Sequence, residues 1–135
     1  MALSKVTYLG ELRTSATHLQ SGSEIISDAP LDNEGKGQAF SPTDQLATSL
    51  ATCMLTIMGI RARDLKVDMS GATAEVTKIM SSNPRRVAEI KVAIHMPSNP
   101  FSDREKKVLE QSARTCPVMY SLHPDIRKDI IFIWK

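Results

Sequence analysis

At 135 residues, with 41% apolar and 24% charged residues and a formal net charge of +2, the chain has the make-up of one ordinary water-soluble domain. Its cations are spread along the chain and aromatic residues make up only 4%, which argues against a dedicated nucleic-acid surface. Met1-Ala-Leu-Ser-Lys5 lacks the apolar core of a signal peptide, and the longest uncharged run falls short of the roughly 20 apolar residues of a membrane span, so a cytoplasmic protein with no membrane partner is expected.

In chain order, residues 4–19 read as extended chain, with Val6, Tyr8, Thr14, Thr17 and Leu19 mixing β-branched and aromatic residues with polar ones. Gln20-Ser-Gly-Ser23 is a turn signal and Glu24 to Ser27 the return strand of a hairpin. Residues 28–38 carry Pro30, Asp32, Asn33, Gly35 and Gly37 and read as a loop. Ser41-Pro-Thr-Asp44 is a helix start: Ser41 caps orphan N–H groups, Pro42 suits the first helical position, and Asp44 completes a capping-box pattern. The helix is expected over residues 42–63. Leu46, Leu50, Cys53, Ile57 and Ile60 recur at spacings of three and four as a core-facing stripe, and apolar residues continue round the other faces, so it is expected to be buried nearly all round.

Residues 71–80 and 86–96 read as two strands joined by a turn at Ser81-Ser-Asn-Pro84, with Val87, Ile90, Val92 and Ile94 alternating over most of the second. Ser102 and Glu105 form a second capping box, opening a helix that reaches Cys116. Leu109, Ala113 and Cys116 share one face of it, Arg104, Lys106 and Lys107 point to solvent, and Pro117 holds Cys116 at the helix end. An apolar strand over residues 130–134 closes the chain. The order of strands, helix, strands, helix and strand is α+β, in a single domain over residues 1–135. One small chain is hard pressed to cover so apolar a helix, so a dimer is expected to help bury it.

The two cysteines, Cys53 and Cys116, are the residues with nucleophilic potential. Two thiols distant in sequence can meet as an attacking and a resolving sulfur, and they can equally be packing residues, since free Cys is among the most buried types. In a cytoplasmic protein a transient catalytic disulfide is more in keeping than a permanent one. Cys53 lies too deep in its helix to gain thiolate character from the N-terminal dipole, so a cation must come from elsewhere, with Arg13 a candidate.

The segment Ser41-Pro-Thr-Asp-Gln-Leu-Ala-Thr-Ser-Leu-Ala-Thr-Cys-Met54 resembles the helix motif of the OsmC/Ohr family, in which the reactive cysteine follows the helix-start Pro by eleven residues. Cys116-Pro-Val118, with Leu122 after it, is similar to the family's second-cysteine motif, and the likeness runs from Tyr8 to Trp134. The resemblance implies an OsmC-like fold: antiparallel sheets packed on a long buried cysteine-bearing helix, in an intertwined homodimer. It further implies thiol-dependent reduction of organic hydroperoxides in the response to oxidative stress. Cys53 would be the peroxidatic thiolate and Cys116 the resolving thiol, joined in a Cys53–Cys116 disulfide that an external dithiol or lipoyl-type reductant reopens. No bound metal or organic cofactor is implied. Arg13 stands at the family's arginine, within Gly10-Glu-Leu-Arg-Thr14 where the family has a Gly-Gly-Arg-Asp-like turn; its role would be to stabilise the thiolate and orient the peroxide. The alternative is a solvent-facing strand arginine.

The chain departs from the family at Thr43, where peroxidase members carry the Glu that pairs with the arginine. Asp44, nine residues before Cys53 at about 100° each, falls on the opposite side of the helix and reads as a cap. Glu24, Asp28 or a carboxylate of a partner chain are the remaining candidates for that pairing. Thr43, Met54 and Met119 are candidates for a substrate pocket, with core filling the alternative for the methionines. His18, His95 and His123 show no metal-ligand spacing, and a Cys–His hydrolase built on Cys116 and His123 has no oxyanion-hole signature. The loss of the glutamate leaves a second reading: a non-peroxidase dimer that binds a small ligand or senses redox state. An RNA-binding module is disfavoured by the absence of a Gly-x-x-Gly loop and of clustered aromatics.

Overall fold

The computed structural model describes residues 1–135 and consists of two compact units, Met1–Leu46 and Ala47–Lys135, whose boundary falls within the long helix. The first unit is an antiparallel sheet of β1 (Ser4–Gly10), β2 (Arg13–His18) and β3 (Glu24–Asp28) in that order. The stretch expected as one extended segment over residues 4–19 is thus two strands. They turn at Glu11 and Leu12, whose φ values of 54° and 65° are left-handed. Non-glycine residues rarely adopt that region, so Glu-Leu gives no turn signal; Gly10 was the only local sign. The Tyr8 hydroxyl accepts the Leu12 N–H at 3.2 Å and steadies the turn.

Register places Val6, Tyr8, Ala16 and Ile25 on one face of this sheet and Arg13, Ser15 and Asp28 on the other. Val6, Tyr8 and Ile25 are exposed. After β3, residues 29–40 form a tight loop containing a 3-10 turn at Leu31–Asn33. Gly35 passes so close to the Ala29 carbonyl that any Cβ would overlap it. The Ala29 carbonyl also accepts the Gly37 N–H at 3.1 Å.

The long helix α1 spans Pro42–Leu65. Its start is a reciprocal box: Ser41 Oγ accepts the Asp44 N–H at 3.0 Å and Asp44 Oδ2 accepts the Ser41 N–H at 2.9 Å. Asp44 is therefore a cap, as its helical position implies.

The second unit contains most of α1 and a sheet of β4 (Thr73–Ser81), β5 (Arg86–His95) and β6 (Arg127–Ile133), with α2 (Asp103–Ala113) and α3 (Pro117–Ser121) between β5 and β6. β4 and β5 pair antiparallel, but β6 runs parallel to β5, so this sheet is mixed and not the antiparallel sheet expected. The crossover through α2 and α3 returns the chain to the end of the sheet where β5 began, which only a parallel strand can follow.

The core is built on Leu50, Met54 and Met58 of α1 against Ile90, Val92 and Ile94 of β5, with Leu109, Ala113 and Ile130 completing it. A register shift between Ile79 and Met80 leaves Ala88 of β5 as the unpaired residue of a bulge, which keeps Val87 inward although it lies three residues from Ile90. The buried stripe of α1 is Ala47, Leu50, Ala51, Met54, Met58 and Ala62, not the one expected. Leu46 and Ile60 are exposed and Cys53 and Ile57 half-buried, so within the chain the helix is covered on one side only. Three alanines let the backbone approach closely, a preference that hydrophobicity alone does not register. Lys106, expected in solvent, lies half-buried with Nζ 5.7 Å from the Trp134 ring centre. No helix is long and apolar enough to cross a membrane.

Leu50 is wholly buried, so Leu50→Ala should cost about 2–5 kcal/mol in urea unfolding. Ile131→Thr, on the exposed face of β6, should stay within about 0.5 kcal/mol of the parent.

Candidate active site

Helix α2 ends at Ala113, three residues short of the cysteine expected to close it. Pro117 explains the break: its ring disfavours helical backbone at the residue before it, and Cys116 is extended, at φ −69° and ψ 143°. The chain then restarts as α3, with Pro117 at the first helical position and Cys116 as the cap. Cys116 Sγ accepts the Met119 N–H at 3.3 Å, which orients the thiol.

That orientation brings Cys116 to Cys53. Both cysteines are free, and Cys53 lies near enough to Cys116 to influence its thiol. They differ in exposure: Cys116 is fully buried in the core, whereas Cys53, on the flank of the buried stripe of α1, is half-exposed. Burial pushes the Cys116 thiol above its ordinary pKa; the Met119 amide works against this and the neighbouring Cys53 adds to it. Burial thus favours the protonated form of the Cys116 thiol. Cys53 is the sulfur that a reagent can reach from outside.

The other residues singled out in the sequence are placed as follows. Met54 is wholly buried in the core, and Met119 is half-buried beside Cys116. Thr43 lies in the helix cap, its hydroxyl 3.2 Å from Ser41 Oγ. His123 is exposed at a turn, where Nδ1 accepts the Asp125 N–H at 3.0 Å. Arg13, in the first unit, sits directly across from Asp28 in the β2–β3 register. Its Nε and Nη2 donate to the two Asp28 oxygens at 2.8 and 2.9 Å, and Nη2 also donates to Gln38 Oε1 at 2.9 Å. Asp28 was legible in the sequence as one of several carboxylates. Gln38 was not, because a loop glutamine carries no local signal.

The Arg13 hydrogen bonds hold the Asp28 carboxyl well below its usual pKa, with the Gln38 N–H helping and burial opposing. Asp28 correspondingly raises the pKa of Arg13.

Two three-stranded sheets, a long cysteine-bearing helix and a second cysteine near the first define a two-cysteine α+β protein of OsmC-like fold. A profile of the OsmC-like protein family matches residues 35–130, and the chain belongs to that family. It is 59% identical to a protein of Psychrobacter arcticus 273-4 provisionally described as an osmotic stress induced and detoxification response protein, over 98% of this chain and 96% of that one, with a TM-score of 0.94. An OsmC-like protein from Mycoplasma pneumoniae shares the fold at 20% identity, covering 97% of this chain and 96% of that one, with a TM-score of 0.77. So does a provisionally assigned organic hydroperoxide resistance protein from Vibrio cholerae O1, with captopril bound in one of its active sites. There the identity is 19%, the coverage 98% of this chain and 92% of that one, and the TM-score 0.70. No curated protein matches the chain.

In the native protein, iodoacetamide should modify Cys53 first and leave Cys116 untouched until the chain is unfolded, as read by peptide mass mapping. Faster labelling of Cys116 would contradict the assignment of exposures. Because the folded Asp28 pKa is depressed, its contribution to stability is complete above the ordinary carboxylate pKa and is lost as pH falls through the folded value. Circular dichroism of acid unfolding should therefore show a shallower loss of stability below about pH 4 in Asp28→Asn than in the parent.

Proposed function

We propose that the protein is a thiol-dependent peroxidase that reduces organic hydroperoxides in the response to oxidative stress. The observation that carries this reading is the nearness of a half-buried Cys53 to a fully buried Cys116 whose thiol pKa is raised. In the first step the Cys53 thiolate attacks the terminal oxygen of the hydroperoxide. The O–O bond breaks, the alkoxide leaves as an alcohol after taking a proton, and Cys53 becomes a sulfenic acid. Cys116 then attacks that sulfur: an S–S bond forms, the S–O bond breaks, and water leaves with the thiol proton. Thiolate exchange with an external dithiol, of the lipoyl type or another, reduces the Cys53–Cys116 disulfide and closes the cycle. The nearness of the two cysteines in the reduced state favours the second step, because the resolving sulfur starts close to the sulfur it must attack.

Arg13 is assigned to the thiolate by the family resemblance; it would stabilise the anion and orient the peroxide. Met119, beside Cys116, is the pocket candidate with surface to offer. The working form is proposed to be a cytoplasmic homodimer. Val6, Tyr8 and Ile25 on one sheet face, and Leu46 and Ile60 on α1, are exposed apolar side chains of the kind a second copy would cover.

The second reading, a ligand-binding or redox-sensing dimer, is favoured by Thr43 in place of the family glutamate. The Arg13–Asp28 pair supports the peroxidase reading instead, since the arginine has a carboxylate partner from β3.

One equivalent of cumene hydroperoxide added to reduced protein should remove both thiols and two hydrogens of intact mass within seconds, and Cys53→Ser should show neither change. In Cys116→Ser, a single fast event should leave a sulfenic acid that dimedone traps. Thiols that oxidise no faster than free cysteine would exclude the peroxidase and leave the binding or sensing role.

A further inference from the structure

A thiolate that opens a Cys53–Cys116 disulfide adds to one sulfur and expels the other, and access and leaving-group pKa decide which. The two sulfurs differ sharply in access. Cys116 has 0% of its surface exposed and belongs to the core cluster that includes Leu109, Ala113 and Leu122. Its place is fixed by the backbone: Cys116 is the extended cap of α3, and its Sγ accepts the Met119 N–H at 3.3 Å. Turning the sulfur outward would break that bond and uncap the helix. Cys53 is half-buried, with exposed Thr52 beside it and exposed Thr56 one turn further along α1. Both threonine hydroxyls are turned back onto their own helix, donating to the Ser49 carbonyl at 3.0 Å and the Thr52 carbonyl at 2.8 Å.

Leaving-group chemistry pulls the other way. Burial raises the pKa of Cys116, and a thiol of higher pKa leaves more slowly. That effect is graded, whereas a sulfur with no exposed surface offers an incoming thiolate no line of approach, so access decides. The Met119 N–H offsets part of the cost, because it already points at the atom on which negative charge appears.

We propose that the external dithiol adds to Cys53 and that Cys116 is the leaving sulfur, so that Cys53 carries both the sulfenic acid and the mixed disulfide of the cycle. This rests on the Cys53–Cys116 disulfide of the peroxidase reading above. One thiolate of the dithiol attacks the Cys53 sulfur as the Cys53–Cys116 bond breaks; the electron pair goes to Cys116, which takes up a proton. The second thiolate then attacks the reductant's own sulfur in the mixed disulfide. The reductant closes into a ring disulfide and Cys53 is released as a thiolate. The protein disulfide gains two electrons and the dithiol loses two.

The test uses the full-length protein, oxidised in parallel samples with one equivalent of cumene hydroperoxide or of diamide. Glutathione, a monothiol that cannot close a ring, is then added, the reaction is stopped with acid within seconds, and adducts are located by peptide mass mapping. The glutathionyl group should sit on Cys53, with Cys116 a free thiol, in about tenfold excess or more over the converse. Equal amounts on the two cysteines, or an excess on Cys116, overturn the assignment. Where the adduct decays too quickly to map, variants with one cysteine decide. Glutathione disulfide should modify Cys53 in Cys116→Ser about tenfold faster or more than it modifies Cys116 in Cys53→Ser, and equal rates overturn the assignment. The two oxidants separate this assignment from the reading beneath it. No disulfide from either removes the Cys53–Cys116 pairing and the assignment with it. A disulfide from diamide alone removes the peroxidase reading, while an adduct on Cys53 still upholds the order of attack. A disulfide from both, with the adduct on Cys116, removes the assignment alone.

Discussion

The packing of α1 on β5 is the constraint from which the thiol site follows. Leu50, Met54 and Met58 lie against Ile90, Val92 and Ile94 with no surface left to solvent or almost none, and a helix so held cannot rotate about its axis without opening cavities. Its rotation decides where Cys53 points. With Met54 at the centre of the buried stripe, Cys53 falls one residue to the side, close enough to the core to meet Cys116 and far enough out to keep surface. A helix turned to bury Cys53 fully would have produced the inert packing residue that composition alone favours.

Cys116 reaches the same point by an independent route. The crossover from β5 to parallel β6 must pass over the sheet, and it does so in two helices because Pro117 breaks the first. The break leaves Cys116 extended, with its sulfur as the cap of the second helix and its pKa raised by burial. One cysteine is therefore reachable and the other protected, an asymmetry that suits a division into attacking and resolving roles and that neither motif states alone. The bulge beside Ala88 belongs to the same economy of packing, since it lets Val87 join the core without disturbing the alternation of Ile90, Val92 and Ile94.

In the first unit the ordering principle is strand register. Arg13 and Asp28 are fifteen residues apart but directly opposed once β2 and β3 pair, and opposite charges on opposed residues reinforce that register. A slip of one residue would turn Arg13 and Asp28 to opposite faces of the sheet. The loop that follows returns Gln38 to the same carboxylate only because Gly35 lets the backbone pass Ala29 with no side chain between them.

Both helix starts were legible in the sequence, because a capping box spans four residues and its hydrogen bonds are local. The strands β4 and β5, the α+β class and the family resemblance were legible for the same reason: each is a pattern along the chain. The phase of α1 was not, since leucine, methionine, isoleucine and alanine surround it and periodicity cannot choose among faces of similar hydrophobicity; size, not polarity, made the choice. Nor was the Glu11-Leu12 turn, whose left-handed backbone its residue types do not announce. The direction of β6, the partner of Arg13 and the nearness of the two cysteines join residues far apart in the chain. The sequence by itself determined the elements and the chemical groups available. The tertiary structure alone decided which of those groups meet, because only packing and strand register act over such separations.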